Sequence, residues 1–330
     1  MSFRKHAFSA EIRQALRPLH SRSNWHGLVA VMIDYVVIFA AVGLSVASPY
    51  FYPLSVLLIG SRQRALSALL HDAVHRLLAR NRRLNSFLGS WLAGYAIFID
   101  FDYYRDLHVV KHHVHLGDPE RDPDQEDFRD FRLDQIEDRL DFLLRHLFKQ
   151  CFLLGVPSYL KYLLTSRLIG MLKDPRQRYP LLLTQAVLAA LLTWIAGPWA
   201  YLLFWVLPYV TVSQLFAWLN LISEHYRLFE RGTTVLDITR NRFPAWWERL
   251  FYGLHNENYH LTHHLFPGIP FWNLGKAHRV LLADASYRAA NQTFGGMFSA
   301  PKGRVSVVVT LLEDIRRYPA PAISSPSRTM

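Results

Sequence analysis

Sixteen histidines are spread unevenly over the 330 residues, and most of them fall into short clusters. The densest stretch runs His255-Asn256-Glu257-Asn258-Tyr259-His260-Leu261-Thr262-His263-His264-Leu265-Phe266-Pro267, with four imidazoles in ten residues. His260, His263 and His264 are spaced i, i+3, i+4, so a helix places them at about 0°, 300° and 40° around its axis, on one face. Three imidazoles on one face can ligate a transition metal. Upstream, His71 and His75 form an i, i+4 pair sharing a helix face. It resembles the helical zinc-protease pair, but Asp72 stands where that chemistry needs a glutamate base.

Between these lies His108-Val109-Val110-Lys111-His112-His113-Val114-His115. On a regular helix His112 and His115 fall within about 40° of His108, while His113 lies about 140° away. Regular geometry therefore prefers His115 to His113 as a co-ligand, and four candidates compete for three places. Two Asp-Pro steps follow, at 118–119 and 122–123, where a turn or helix end is expected. A lone His225 follows Ser223-Glu224 directly after an apolar run. Nine imidazoles exceed the three or four protein ligands of one ion, so two metals sharing nine is the simpler count.

The elements that must position them are apolar helices. Leu28 to Ala47 is apolar except for Asp34, about the 20 residues that span a bilayer core. Ser48-Pro49 breaks it, and a second helix is expected to run from Tyr50 through Arg62 and Arg64 to the first histidine pair. Leu181 to Ala196 and Trp199 to Leu219 form another apolar pair around Gly197-Pro198. Residues 86–101 suit a half-buried or membrane-surface helix, and residues 142–165, with Arg145, Lys149 and Lys161, an amphipathic interfacial one. No Lys or Arg occurs between Arg22 and Arg62, or between Arg178 and Arg227. The positive-inside rule then puts both termini and the histidine-rich portions in the cytoplasm. The expected architecture is an all-α membrane protein with four transmembrane helices in two hairpins (about 28–48, 50–70, 181–197 and 199–221). Interfacial helices and a cytoplasmic helical cap complete one domain, 1–318, before a disordered tail, 319–330.

Composition narrows the chemistry. The single cysteine, Cys151, excludes disulfide frameworks and thiolate metal sites within the chain. A net charge of +11 accompanies no nucleic-acid module, and positive membrane flanks account for it. The basic N-terminus lacks the cleavage pattern of a signal peptide.

The three clusters in order, His71-xxx-His75, His108-xxx-His112-His113 and His260-xx-His263-His264, together with the two hairpins, resemble the integral-membrane fatty acid desaturase and hydroxylase superfamily. Asp122-Pro123-Asp124, Ser223-Glu224-His225 and the stretch from Asn256 to Pro267 resemble its bacterial acyl-lipid desaturase branch. The resemblance covers roughly residues 28–285. It implies a non-haem diiron centre with His71, His75, His108, His112, His113, His225, His260, His263 and His264 as ligands. His115 then becomes an outer residue, His255 lies outside the motif, and Asp72, Asp106, Glu224, Asn256 and Glu257 are candidates to orient imidazoles or water.

The reaction so implied is O2-dependent oxidation of an unactivated C–H bond in a fatty acyl chain, taken first as desaturation. Such a bond offers no handle for acid–base or nucleophilic catalysis. Hydroxylation, ketolation, triple-bond formation or decarboxylation on a fatty acid, sphingolipid or carotenoid is the alternative. A zinc protease would leave seven clustered histidines unused, and a transporter would want more polar residues in the spans than Asp34 and Gln185. The chain has no dinucleotide fingerprint and no cytochrome-like module. An external ferredoxin, rubredoxin or cytochrome is therefore expected; positive-inside bias accounts for the basic residues at 76–83 and 227–249, which could also steer an acidic donor. A bacterial inner membrane is the expected location.

Overall fold

The computed structural model describes residues 3–4, 6–136, 138–230, 232–301 and 303–317. The expected tail, 319–330, lies outside them. The architecture is all-α: among the described residues the only β pairing is two isolated bridges. Helix α1 (Ala10–Leu16) starts at Ser9, whose hydroxyl accepts from the Ile12 N–H. Helix α2 (Trp25–Ala47) is long enough, at about 1.5 Å per residue, to cross a bilayer. Helix α3 (Tyr52–Val74) returns against it as one unbroken helix into the first histidine pair. Ser45 and Ser55 close the turn end of this pair, with hydroxyls 2.7 Å apart and Ser55 donating to the Ala41 carbonyl.

Helix α4 (Arg82–Phe87) continues as a wide π-helical stretch, Leu88–Gly94, and ends where Phe98 turns left-handed. Helix α5 (Phe101–Arg105) likewise runs on through a π-helical stretch, Asp106–His112, to His115. Helix α6 (Pro123–Asp130) opens on an Asp122 cap with Pro at its first position. The expected interfacial helix at 142–165 is present in two pieces. Leu153 adopts a left-handed φ of 60° between them, and Leu144, Phe148, Phe152 and Leu154 are exposed.

Helices α7 (Pro175–Ala196) and α8 (Leu202–Glu224) form the second apolar hairpin, reversed at Gly197, whose φ of +87° suits glycine. Their exposed side chains include Leu182, Leu183, Val187, Leu191 and Trp194, as those of α2 include Met32, Ile33 and Val36. An apolar exterior on long helices is the signature of a lipid-facing surface. Three helices, α2, α7 and α8, are long and apolar enough to cross a membrane. The fourth expected span, α3, falls short on composition because its second half carries Arg62, Arg64, His71 and Asp72. Most of its residues are buried, Gln63 among them donating to the Trp205 carbonyl at 2.8 Å.

Helices α9 (His260–Leu265), α10 (Phe271–Leu281) and α11 (Ala285–Ala290) make the cap. They share a core with α1 through Phe8, Ile12, Leu16, Leu261, Leu274 and Tyr287. Helix α12 (Val307–Arg317) packs Leu311 and Ile315 into a second core with Trp218 and Tyr226.

Candidate metal centre

Four backbone segments deliver nine imidazoles to two adjacent groups. In the first, ring nitrogens of His71, His75, His108, His113 and His263 lie within 4.8 Å of one another. In the second, those of His112, His225, His260 and His264 do the same. Consecutive histidines are divided between the groups: His112 from His113, and His264 from His263. The two groups touch where the His113 and His264 rings stack at 4.4 Å.

The π-helical stretch after α5 makes the division possible. The His113 N–H donates to the His108 carbonyl, five residues back, and widens the turn. His113 thereby comes onto the His108 side, with their Nε2 atoms 3.0 Å apart. His115 is carried to another wall, where it lines a second cavity of about 530 Å³ with Arg13 and Arg121, bordered also by His113 and His264. Regular-helix geometry had favoured His115; the wide turn favours His113.

Further Nε2 contacts knit the groups together. His113 and His263 are 3.0 Å apart, His260 and His264 3.0 Å, His225 and His260 2.9 Å, and His112 and His264 3.3 Å. Ions bound to nitrogen at about 2.0–2.1 Å hold neighbouring ligand nitrogens about 3 Å apart, so these separations fit a metal shell. The Nε2 atoms of His71 and His75 are buried and have no hydrogen-bond partner among the described residues. Buried nitrogens without partners are costly in a bare protein, and a cation between them would remove that cost.

Three of the opposite ring nitrogens are anchored. His112 Nδ1 lies 2.8 Å from Asp122, His225 Nδ1 donates to the Ile238 carbonyl at 2.9 Å, and His260 Nδ1 is 3.4 Å from Glu224. Holding the proton on Nδ1 leaves Nε2 as the lone-pair donor. Burial, then the charges of neighbouring histidines, holds His75, His108, His113, His260, His263 and His264 well below the usual imidazole range. Burial and then His112 push His225 down to about 3. These rings are therefore neutral and ready to ligate at neutral pH. His112 differs: burial opposes its charge, but Asp124 and Asp122 outweigh it and raise it to about 9. A cation at Nε2 would displace that proton, while Asp122 keeps its hold on Nδ1.

The carboxylates named from sequence are used differently. Asp72 sits 3.7 Å from His71 Nδ1 and accepts from the Phe271 N–H at 2.8 Å, tying α3 to the start of α10. Glu224 also takes an Asn220 amide at 2.7 Å. Asp106 does not reach the histidines: it pairs with Lys111 at 2.9 Å on the surface. Glu257 pairs with Arg64 rather than an imidazole. Asn256, left-handed at φ 60°, donates to the Phe271 carbonyl at 2.9 Å and locks the turn into α9. His255 Nε2 lies 2.7 Å from Asp34, so the one acid of α2 tethers the third histidine stretch to the first span.

Residues that spacing did not single out also contribute. Asp122 orients His112 while capping α6; the Asp-Pro step signalled the cap but not the second contact. The Tyr104 ring lies parallel to His108, centroids 5.7 Å apart. Beneath α9, Thr262 is held by Asn241 and by Tyr287, whose hydroxyl is 2.8 Å from His278. A cavity of about 220 Å³ opens against His71, His108, His112, His260 and His263. Ala68, Ile99, Leu107, Phe271 and Leu274 give it apolar walls, and Arg64, Asp127, Arg167 and Glu257 give it charged ones.

A fatty acid desaturase family profile matches residues 47–295, which carry all nine imidazoles. The chain is 37% identical over 321 residues to dihydrorhizobitoxine desaturase of Bradyrhizobium elkanii, covering 94% of this chain and 90% of that protein. It is 27% identical over 333 residues to a chloroplastic omega-3 fatty acid desaturase of Glycine max, spanning 89% of this chain but only 66% of the plant protein. A zeaxanthin 4-ketolase of Chlamydomonas reinhardtii is 24% identical over 211 residues, 64% of this chain and 40% of the ketolase. A profile over most of the chain and a bacterial relative aligned along nearly all of it agree: this protein is an oxidoreductase of the fatty acid desaturase family, in its bacterial branch.

Proposed function

We propose that the chain desaturates an acyl-type substrate, using two iron ions held by its nine clustered histidines. One ion would be held by His71, His75, His108, His113 and His263, and the other by His112, His225, His260 and His264. The observation that carries this reading is the convergence of nine mostly neutral imidazoles in two touching groups. Nitrogen-only donors suit iron, copper or zinc, and family membership favours iron. Bound iron would supply dioxygen activation, the chemistry needed to break an unactivated C–H bond.

The chain's own residues do the positioning. Asp122, Glu224 and the Ile238 carbonyl fix ring orientation from the far nitrogen. Ile99, Leu107 and Leu274 line the cavity beside His108 and hold a chain segment with adjacent carbons toward the imidazoles. The balance is one CH2–CH2 unit, O2, two electrons and two protons giving CH=CH and two waters. The electrons come from an external ferredoxin, rubredoxin or cytochrome, which the basic residues at 76–83 and 227–249 would attract.

The same reading takes α2 with α3, and α7 with α8, as two membrane hairpins of one domain, residues 1–318. The absence of Lys and Arg from their turns supports a cytoplasmic metal centre in a bacterial inner membrane. The ketolase relative supports a second outcome, oxygen insertion, on the same scaffold. Mass spectrometry of lipids and metabolites from a host with and without the gene separates them. Desaturation gives products two hydrogens lighter with no added oxygen; products that gain one oxygen, with the loss of two hydrogens for a ketone or none for an alcohol, would replace it with the second outcome.

A further inference from the structure

The cavity beside the histidines is lined by two arginines, Arg64 and Arg167, and five carboxylates, Asp72, Asp124, Asp127, Glu224 and Glu257. Arg64 and Glu257 are joined in an ion pair. Arg167 and Asp127 line the same space, yet among the described residues no oppositely charged group comes within 4.0 Å of either. Arg167 projects from a helical stretch, Leu163–Leu168, over the Tyr162 ring at 5.3 Å, and makes a long hydrogen bond to the Tyr209 hydroxyl at 3.4 Å. The Asp127 carboxylate, on α6, accepts no hydrogen bond from the described residues. Both side chains are half-buried. Charges withdrawn from water without partners cost free energy, and a ligand that pairs them recovers it.

Their position fits a binding role. A neighbouring cavity of about 290 Å³ shares Ile99, Tyr103 and Arg167 with the one against the histidines. Arg167 thus stands where the two spaces meet. From there Ile99 and Leu107 continue as apolar wall to His108. Each space is small beside the roughly 300–1,000 Å³ of typical ligand pockets, so a charged anchor would contribute much of the binding.

We propose that Arg167 and Asp127 bind the zwitterionic head of the substrate, Arg167 taking its carboxylate or phosphate and Asp127 its ammonium group. The proposal rests on the desaturase reading for what happens to the attached chain, but the head-group site stands independently of turnover. Two sources supply such a head: a free α-amino acid with an alkyl side chain, or a phosphoethanolamine lipid. A guanidinium matches either anion in a two-pronged contact, and a burial-raised carboxyl (Asp127 is pushed up to about 7 by burial and then by Asp124) gains most from a cationic partner.

The test uses the full-length, iron-loaded protein in detergent, with calorimetric binding of 2-aminooctanoate, octanoate and octylamine, and nanodiscs of phosphatidylethanolamine or phosphatidylglycerol. The zwitterionic member of either set should bind at least about tenfold more tightly than its singly charged counterparts, as expected for one added charge-assisted contact. Preference for 2-aminooctanoate identifies the amino-acid source, and preference for phosphatidylethanolamine the lipid source. Arg167→Gln should weaken the zwitterion and octanoate while sparing octylamine. Asp127→Asn should weaken the zwitterion and octylamine while sparing octanoate. Arg167→Lys, which keeps the charge, should recover part of the loss. Equal binding of all probes, or variants that retain iron and bind as the parent does, overturns the proposal. Protein that takes up no iron on loading yet still discriminates the probes would overturn the diiron reading and leave this one standing.

Discussion

His113 Nε2 lies 3.0 Å from His108 Nε2, although the two residues are five apart and would diverge on a regular helix. The wide turn that joins them also leaves His112 facing the other group. This turn decides which of the four histidines at 108–115 serve the centre. His113→Ala is expected to remove about one iron per chain and lower activity at least about 100-fold, beyond what outer residues of metal sites cost. His115→Ala should change neither. Iron analysis alongside product yield checks both variants, and an equal effect of the two would show the assignment to be mistaken.

Asp122 does three jobs. Its carboxylate holds His112 Nδ1, caps α6 and accepts from the Gly117 N–H at 2.6 Å. Asparagine preserves the cap but turns an N–H donor toward the Gly117 N–H, so Asp122→Asn should lower stability by about 1–3 kcal/mol. Iron should also leave to a chelator about 10–100-fold faster. Asp122→Ala should add a cap loss of about 1 kcal/mol. Unchanged chelation kinetics in both variants would remove Asp122 from the centre.

Asp34 is fully buried in α2 and meets His255 at 2.7 Å and Arg62 at 3.4 Å. Asp34→Leu leaves those two groups without their acid and should destabilise the protein by about 1–3 kcal/mol. His255→Leu in the same background should recover part of that loss, because it removes a stranded partner. Thermal unfolding of the two single variants and the double variant reads this coupling. Strict additivity would mean that the contact carries no energy.

Acid sensitivity should arise outside the metal centre as well. Burial, then Arg304, depresses His278 from the ordinary imidazole range to about 4. The unfolded chain therefore binds this proton first as pH falls. The stability contributed by neutral His278 is full above about 6.5 and is lost as pH falls toward 4. Metal-free His278→Asn should show a shallower decline in melting temperature across that window than the metal-free parent. Equal slopes would mean that His278 takes no part.

Much of this was legible in the sequence, for identifiable reasons. The i, i+4 pairs His71/His75 and His260/His264 read correctly as shared faces because α3 and α9 are regular helices there, whereas His263, expected beside His260 and His264, serves the other group. The π-helical turn was not legible, since nothing in the composition of Asp106–His112 distinguishes it from an α-helix. Asp106, Asn256 and Glu257 show the opposite limit. Nearness to a histidine in sequence does not fix where a carboxylate or amide points, and each found another partner: Lys111, the Phe271 carbonyl and Arg64. Asp34 read as an anomaly in an apolar run; its partner, His255, lies 221 residues away. The second helix was anticipated as a span, and its polar lower half, mostly buried, carries Arg64 and His71 into the cavity.

The division of nine imidazoles into two metal groups is tested most directly by counting metal in the purified protein. Elemental analysis of full-length protein from iron-supplemented cells should give about two irons per chain and negligible zinc. A single zinc per chain, or one iron that survives both His112→Ala and His113→Ala, would contradict the two-ion centre.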